Sequence, residues 1–240
     1  MKPHRSAVAG RTLSRPVRSN QHGPHPRLDE LVRRHLSQPF RKPPAPYSVA
    51  AFETIARSRE GRPLVLDSAC GTGESSARLA RRHPQALVVG IDQSAERLER
   101  GQRKLQCAWP PNLLLLRADV SDVWALMAQA GWRVEHHYLL YPNPWPKAEH
   151  VMRRWGTHPR LPALLALGGR VELRSNWAIY AQEFAHALHL AGRQALLDMP
   201  GPAELADPVS PFERKYRDAG HTLWRVVCAE TQAGKTPVER

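Results

Sequence analysis

"LVLDSACGTGESS", residues 64–76, decides the fold. With Pro63 ahead of it, the apolar run "PLVLD" reads as a buried strand, and "GESSARLARRH" has the apolar spacing of a helix. Between them stand Gly71 and Gly73, residues that let a backbone turn tightly and come close to a ligand. A strand that passes through a glycine turn directly into a helix is the opening half of a βαβ unit.

Downstream the alternation repeats. "ALVVGID", "NLLLLRAD", "VEHHYLLY" and "GRVELRS" read as strands, while "SAERLERGQRKLQ", "SDVWALMAQAG", "LPALLAL" and "NWAIYAQEFAHALHLAG" read as helices. Short apolar strands alternating with helices predict an α/β fold, a mostly parallel sheet with helices on both faces and right-handed crossovers. "RQALLD" and "HTLWRVVCAE" supply two further strands, seven in all, that close the sheet as an antiparallel pair around the insertion "MPGPAELADPVSPFERKYRDAG".

Upstream the chain changes character. The first thirty or so residues are rich in Pro, Ser, His and Arg without apolar periodicity, which predicts a largely disordered arm over residues 1–38 and a folded domain over 39–240. The 240 residues carry 35 Lys and Arg against 22 Asp and Glu, a net charge of +13. Ten of those bases lie in the first 42 residues, against only Asp29 and Glu30. A basic arm on a basic domain suits a polyanionic partner, although a tail that merely solubilises would have the same composition. No apolar run approaches the roughly 20 residues that cross a bilayer, and the N-terminus lacks the apolar centre of a secretory signal, so a cytoplasmic protein without a membrane partner is expected. Cys70, Cys107 and Cys228 form no CxxC pair and no HxxxH or HExxH spacing occurs, which predicts neither disulfides nor a metal.

A doubly wound sheet binds its ligand outside the carboxyl ends of its strands, where the strand order reverses. At those ends stand three acids: Asp67 before the glycines, Asp92 closing the second strand and Asp119 closing the third. A dinucleotide fingerprint would need glycine where Ser76 stands. The acids suit S-adenosylmethionine better than NAD. Asp92, about 20 residues beyond the turn, is placed for the ribose hydroxyls, Asp67 and the turn amides for the methionine end, and Asp119 for the adenine edge.

After the fourth strand comes "YPNPWPK", residues 141–147, where Pro142, Pro144 and Pro146 forbid a continuing strand and make a stiff loop. With "RSNWAIY" and "SPFERKY" it completes three motifs in order, and on these and the glycine turn the chain resembles the tRNA (guanine-N7) methyltransferases among the class I enzymes dependent on S-adenosylmethionine. The resemblance covers roughly residues 60 to 230 and implies a Rossmann-like fold, tRNA as partner and S-adenosylmethionine as methyl donor. The proline loop would then overhang the donor, holding Asn143 beside the sulfonium as the catalytic position and Trp145 as a wall of the base pocket. Lys147 at the loop's outer edge is expected to touch phosphate, with Arg154 a further substrate contact; Arg153 and Arg154 cannot both face one way on a helix.

The sequence departs from the family at two acids, which are Asn143 and Asn176 here, and Ala69 replaces the usual first glycine. An amide offers donors where a carboxylate only accepts, which weakens the match to guanine's donor edge. Asn176, or Ser175 beside it, would also serve as a helix N-cap. Glu213 is the family acid that remains for the substrate, unless it pairs with Arg214 or Arg217. Two other functions stay open: an amino methyltransferase acting on another nucleic-acid base, to which "NPW" is similar, and a methyltransferase-like protein that only binds RNA.

Overall fold

The structure, a computed structural model, describes residues 14–229. Two helices, α1 (Leu28–Ser37) and α2 (Pro46–Arg59), precede the alternating region. There follow β1 (Leu64–Ser68), α3 (Glu74–Arg82), β2 (Leu87–Asp92), α4 (Ala95–Leu105), β3 (Leu113–Arg117), α5 (Val120–Gln129) and β4 (His136–Leu140). The second half comprises α6 (Leu161–Ala166), β5 (Arg170–Ser175), α7 (Ala178–Leu190), β6 (Ala195–Asp198), α8 (Pro202–Ala206), α9 (Pro211–Asp218) and β7 (Trp224–Cys228).

The seven strands form one sheet in the order β3-β2-β1-β4-β5-β7-β6. The first five are parallel to their neighbours, and β7 runs antiparallel between β5 and β6. Alternate side chains go to opposite faces of a strand. Leu64, Leu66, Val89 and Ile91 therefore pack under α2, α5 and α7, against Ile55, Trp124, Met127 and Phe184. Val65 and Val88 meet Ala77, Leu79 and Leu98 of α3 and α4 on the other face. Each fully buried Leu, Ile or Val contributes about 1.5–3 kcal/mol, so two covered faces explain why the parallel strands read as unbroken apolar runs. Strand order reverses between β1 and β4, which places a crevice above their carboxyl ends.

One expectation needs correction. The boundary at residue 38 cuts off a part of the folded body: α1 buries Leu28, Leu31 and Val32, with Leu28 and Val32 packed on Leu161 and Ala187, and His35 Nδ1 lies 3.0 Å from the Thr157 carbonyl. Of the arm expected over residues 1–38, residues 1–13 lie outside the described residues. The C-terminal insertion is helical, and Ser210 caps α9 by accepting the Glu213 N–H at 3.1 Å.

Candidate active site

The β1 turn and the proline loop after β4 face each other across the switch point. In the turn, Ala69, Gly71 and Gly73 all have left-handed φ, of 62°, 62° and 72°. Gly73 is required on a second count, because a Cβ there would lie 2.4 Å from a Leu115 methyl. A Cβ at Gly71 would meet open space, so its backbone is accessible to a ligand.

The three acids do different jobs. Asp92 accepts from the Gly71 N–H at 2.9 Å through one oxygen and from the Ser94 N–H at 2.9 Å through the other, pinning the turn while lining the crevice. Asp119 caps α5, accepting from the Ser121 N–H and hydroxyl, and lies 3.3 Å from Lys42 Nζ. Burial pulls its pKa up, but the Ser121 bonds and Lys42 more than offset this and hold it below the usual carboxylate range. Asp67 is sealed under the turn at 1 % exposure, accepting from the Ser75 and Ser76 hydroxyls at 2.6 and 2.7 Å. It organises the start of α3, and the expected direct grip on a methionine end is not what the structure gives it.

Burial raises Asp67 to about 6, the two serine bonds opposing it only in part. A carboxyl whose folded pKa stands above the unfolded value contributes stability that is complete below that unfolded value, 3.8, and is lost as pH rises through about 6. Asp67→Asn keeps a carbonyl for both hydroxyls and removes the buried charge. It is expected to be roughly 3 kcal/mol more stable than wild type at about pH 7.5 and nearly equal to it at about pH 4. Urea unfolding at both pH values checks this, and a variant less stable at the higher pH would refute it.

Two cavities, about 410 and 610 Å³, share Ala69, Asp92, Arg97, Pro142 and Asn143 as a common wall. The smaller holds Asp119, Lys42, Trp145, Trp155, His158 and Tyr180 on its lining. Burial pushes His158 down to about 4, so it is neutral there at pH 7. The larger runs from the glycine turn to the aromatic faces of Phe212 and Tyr216, with Arg100 at its edge. Among the described residues no helix is long and apolar enough to cross a membrane.

Asn143 is the expected site residue that the structure places best. It is exposed on the wall between the cavities, and its Oδ1 accepts the Trp145 N–H at 3.3 Å. That bond from a backbone donor decides which amide atom is oxygen, so the NH₂ group is the end turned away from the loop. Trp145 lines the smaller cavity, its ring 4.5 Å beneath the Arg153 guanidinium. Lys147 is exposed, 3.8 Å from Glu149, beside a shallow pocket lined also by Arg18, Ser19 and Asn20.

Three other expected contacts lie elsewhere. Arg154 is turned inward at 1 % exposure, paired with Glu183 of α7 at 2.6 Å, and it donates to the Trp145 carbonyl at 2.9 Å. It anchors the loop from behind, since Tyr141 and Trp145 adopt left-handed φ of 52° and 45° that only surrounding structure can maintain. Glu213 is fully buried, accepting from Arg174 at 2.7 Å, the Tyr141 hydroxyl at 2.9 Å and the Val209 N–H at 2.7 Å. It ties α9 to β5 and to the root of the loop, with neither Arg214 nor Arg217 as its partner. Asn176 Nδ2 lies 3.1 Å from His221 Nδ1 and lines neither cavity; Ser175 Oγ, and not Asn176, accepts the Trp177 N–H before α7.

Lys42 escaped sequence reasoning because it reaches the crevice from a segment with no motif, whereas Tyr180 closes "RSNWAIY" and was given no role. Phe212 had a signal: "SPFE" is a capping-box pattern that starts a helix with an exposed aromatic in its first turn.

A family model described as "Putative methyltransferase" matches residues 61–226. The tRNA (guanine-N(7)-)-methyltransferase of Treponema pallidum (strain Nichols) is 30 % identical over 174 residues, 71 % of this chain and 68 % of that protein. The chain belongs to the tRNA (guanine-N7) methyltransferase family. Family proteins of the same description from Mycobacterium avium (strain 104) and Neisseria gonorrhoeae (strain ATCC 700825 / FA 1090) are 34 % and 27 % identical, over 67 % and 75 % of this chain and 64 % and 77 % of theirs. Among solved structures, the 16S rRNA methyltransferase KamB superposes with a TM-score of 0.54 at 20 % identity, covering 78 % of this chain and 95 % of its own. A 16S rRNA (adenine(1408)-N(1))-methyltransferase from Catenulisporales acidiphilia, solved with its cosubstrate SAM, gives 0.52 at 20 % identity over 77 % and 92 %. These two share the class I methyltransferase fold with the family member described here.

Proposed function

We propose that this family member is a cytoplasmic enzyme that methylates guanine N7 in tRNA with S-adenosylmethionine as donor. The residues present fit that donor: Asp92 and Asp119 line the crevice and offer carboxylate acceptors for ribose hydroxyls and an adenine edge, and the open face at Gly71 leaves room against the turn. S-adenosylmethionine, when bound, supplies an electrophilic methyl group. The chain's residues then have to align a base, because N7 of guanine carries a lone pair that is free at neutral pH and needs no general base. Alignment alone supplies several kcal/mol of such a barrier.

The observation that carries the reading is the Asn143 amide. Its Oδ1 accepts the Trp145 N–H, and its NH₂ group is a donor left for a base. Guanine shows two acceptors side by side on that edge, N7 and O6. A donor that holds O6 places N7 at the methyl, and the exposed ring of Phe212 on the larger cavity offers an apolar surface for the base. Lys147 and the basic N-terminal segment are assigned to the RNA backbone.

The test is methyl transfer to unmodified tRNA by wild type and Asn143→Asp, with the product nucleoside identified by mass spectrometry. Asp keeps the Trp145 bond and returns the acid that the family carries at this position, so S-adenosylhomocysteine should bind as before and 7-methylguanosine should still form, with kcat/KM lower than wild type only to the extent that this chain uses the amide's donor. The wild-type product is 7-methylguanosine. Methylated adenosine, or S-adenosylhomocysteine binding without methylation of any RNA, would overturn the assignment.

A further inference from the structure

At the end of the sheet opposite the candidate active site, the first residues of β4 meet the last turn of α3. There His83, Glu135 and His136 each present a ligand atom, all within 4.8 Å of one another. None belongs to a sequence pattern, because one comes from a helix end and two from a strand start. We propose that these three residues bind one divalent transition-metal ion of the zinc class.

The chemistry of the set is two imidazoles and a carboxylate, the mixture that Zn²⁺ takes with a water in the fourth position. In a tetrahedral zinc site, bonds of about 2.0–2.1 Å set the ligand atoms about 3.3 Å apart. Glu135 Oε1 already lies 3.5 Å from His136 Nε2. Glu135 is exposed, so its carboxylate can swing to close the rest, and the opening gives an ion a way in. Both histidines are held from behind. The His83 carbonyl accepts from the Ala86 N–H at 3.1 Å and from Asn112 Nδ2 at 3.0 Å, and His136 is paired in the sheet with Val65 and Arg170.

Nδ1 of His136 is buried with no hydrogen-bond partner, although buried polar atoms are nearly always paired. His83 Nε2 has one, the Tyr138 hydroxyl at 3.0 Å, and the His83 and His136 rings lie 4.6 Å apart between centroids. The fold thus brings two imidazoles together, and with Nε2 of His136 turned toward Glu135, its buried Nδ1 is the nitrogen left to carry the proton. The nearby cations have partners of their own: Arg82 pairs with Asp207 at 2.7 Å and Arg170 with Glu172 at 3.4 Å. A bound ion would brace the end of α3, whose first turn follows the glycine loop, against the central strand β4.

The experiment is calorimetric titration of the EDTA-treated full chain with Zn²⁺ alone, with thermal unfolding in parallel. Wild type should bind one equivalent at this site and unfold at a higher temperature with zinc. In the double variant His83→Asn with His136→Asn, affinity for that equivalent should fall by more than about 100-fold, since even outer-shell partners change metal affinity by about 10–100-fold. Exposed Glu135→Gln should weaken it about 10-fold or more and leave the fold intact, so the proposal stays testable should the double variant fail to fold. Cobalt substitution gives a further readout, a tetrahedral absorption spectrum that the variants lose. Identical zinc titrations for wild type and Glu135→Gln, or no saturable zinc binding to wild type, would overturn the site.

Discussion

Arg154→Met should lower stability by about 3–5 kcal/mol, because it leaves the Glu183 carboxylate, 2 % exposed, without its cation. For a domain of this size that corresponds to a melting temperature lower by roughly 6–20 °C. The arginine is bonded on two sides: Nη1 reaches both Glu183 oxygens at 2.8 and 2.6 Å, while Nε and Nη2 reach the Trp145 carbonyl at 3.3 and 2.9 Å. These two sides can be separated. Arg154→Met with Glu183→Leu replaces a buried ion pair by apolar volume, a change that is often neutral or stabilising, so the double variant should recover most of the lost stability. It should not recover methyl transfer, since the Trp145 carbonyl has lost its donor and the left-handed residues Tyr141 and Trp145 lose their anchor. A single variant within about 1 kcal/mol of wild type would show the pair to be dispensable. Full transfer by the double variant would show that the loop holds itself.

Arg154 also shows where the sequence stops being legible. Periodicity marks β1 through β7 and their helices because each element repeats its apolar spacing locally, and the acids at the ends of β2 and β3 fall in phase with those strands. Asp92, Asp119, Gly71, Asn143 and Trp145 could therefore be placed at the crevice before the fold was seen. Which of two adjacent arginines turns inward is decided by Glu183, about thirty residues on and in another helix, and no local pattern records that. Glu213 was misjudged for the same reason, its partners Arg174 and Tyr141 lying in β5 and after β4. The helix α1 is a different kind of miss. Leu28, Leu31, Val32 and His35 follow the spacing of a helical face, and all are buried, but Arg33 and Arg34 among them made the segment look like more of the basic arm.

Replacement of Asp92 by Ala should weaken S-adenosylhomocysteine binding by about 100-fold. Two losses combine in that figure. The first is the grip on the ribose: a hydrogen bond from a hydroxyl to a carboxylate is worth about 1.5–3 kcal/mol, so one such bond accounts for at least about 10-fold. The second is the turn itself, since Asp92 accepts the N–H groups of both Gly71 and Ser94 at 2.9 Å, and without it the backbone facing the ligand loses its hold. A ligand lacking the 2′-hydroxyl tells these apart. If Asp92 grips the ribose, wild type should lose affinity for 2′-deoxy-S-adenosylhomocysteine, and the further cost of Asp92→Ala should shrink with that ligand, because the interaction has already been removed. If Asp92 only pins the turn, the cost of Asp92→Ala is the same for both ligands. Asp92→Asn completes the series: its NH₂ must face one of the two backbone donors, so it should disturb the turn while keeping one acceptor for the sugar. Equal dissociation constants for wild type and Asp92→Ala would place the adenosine end elsewhere.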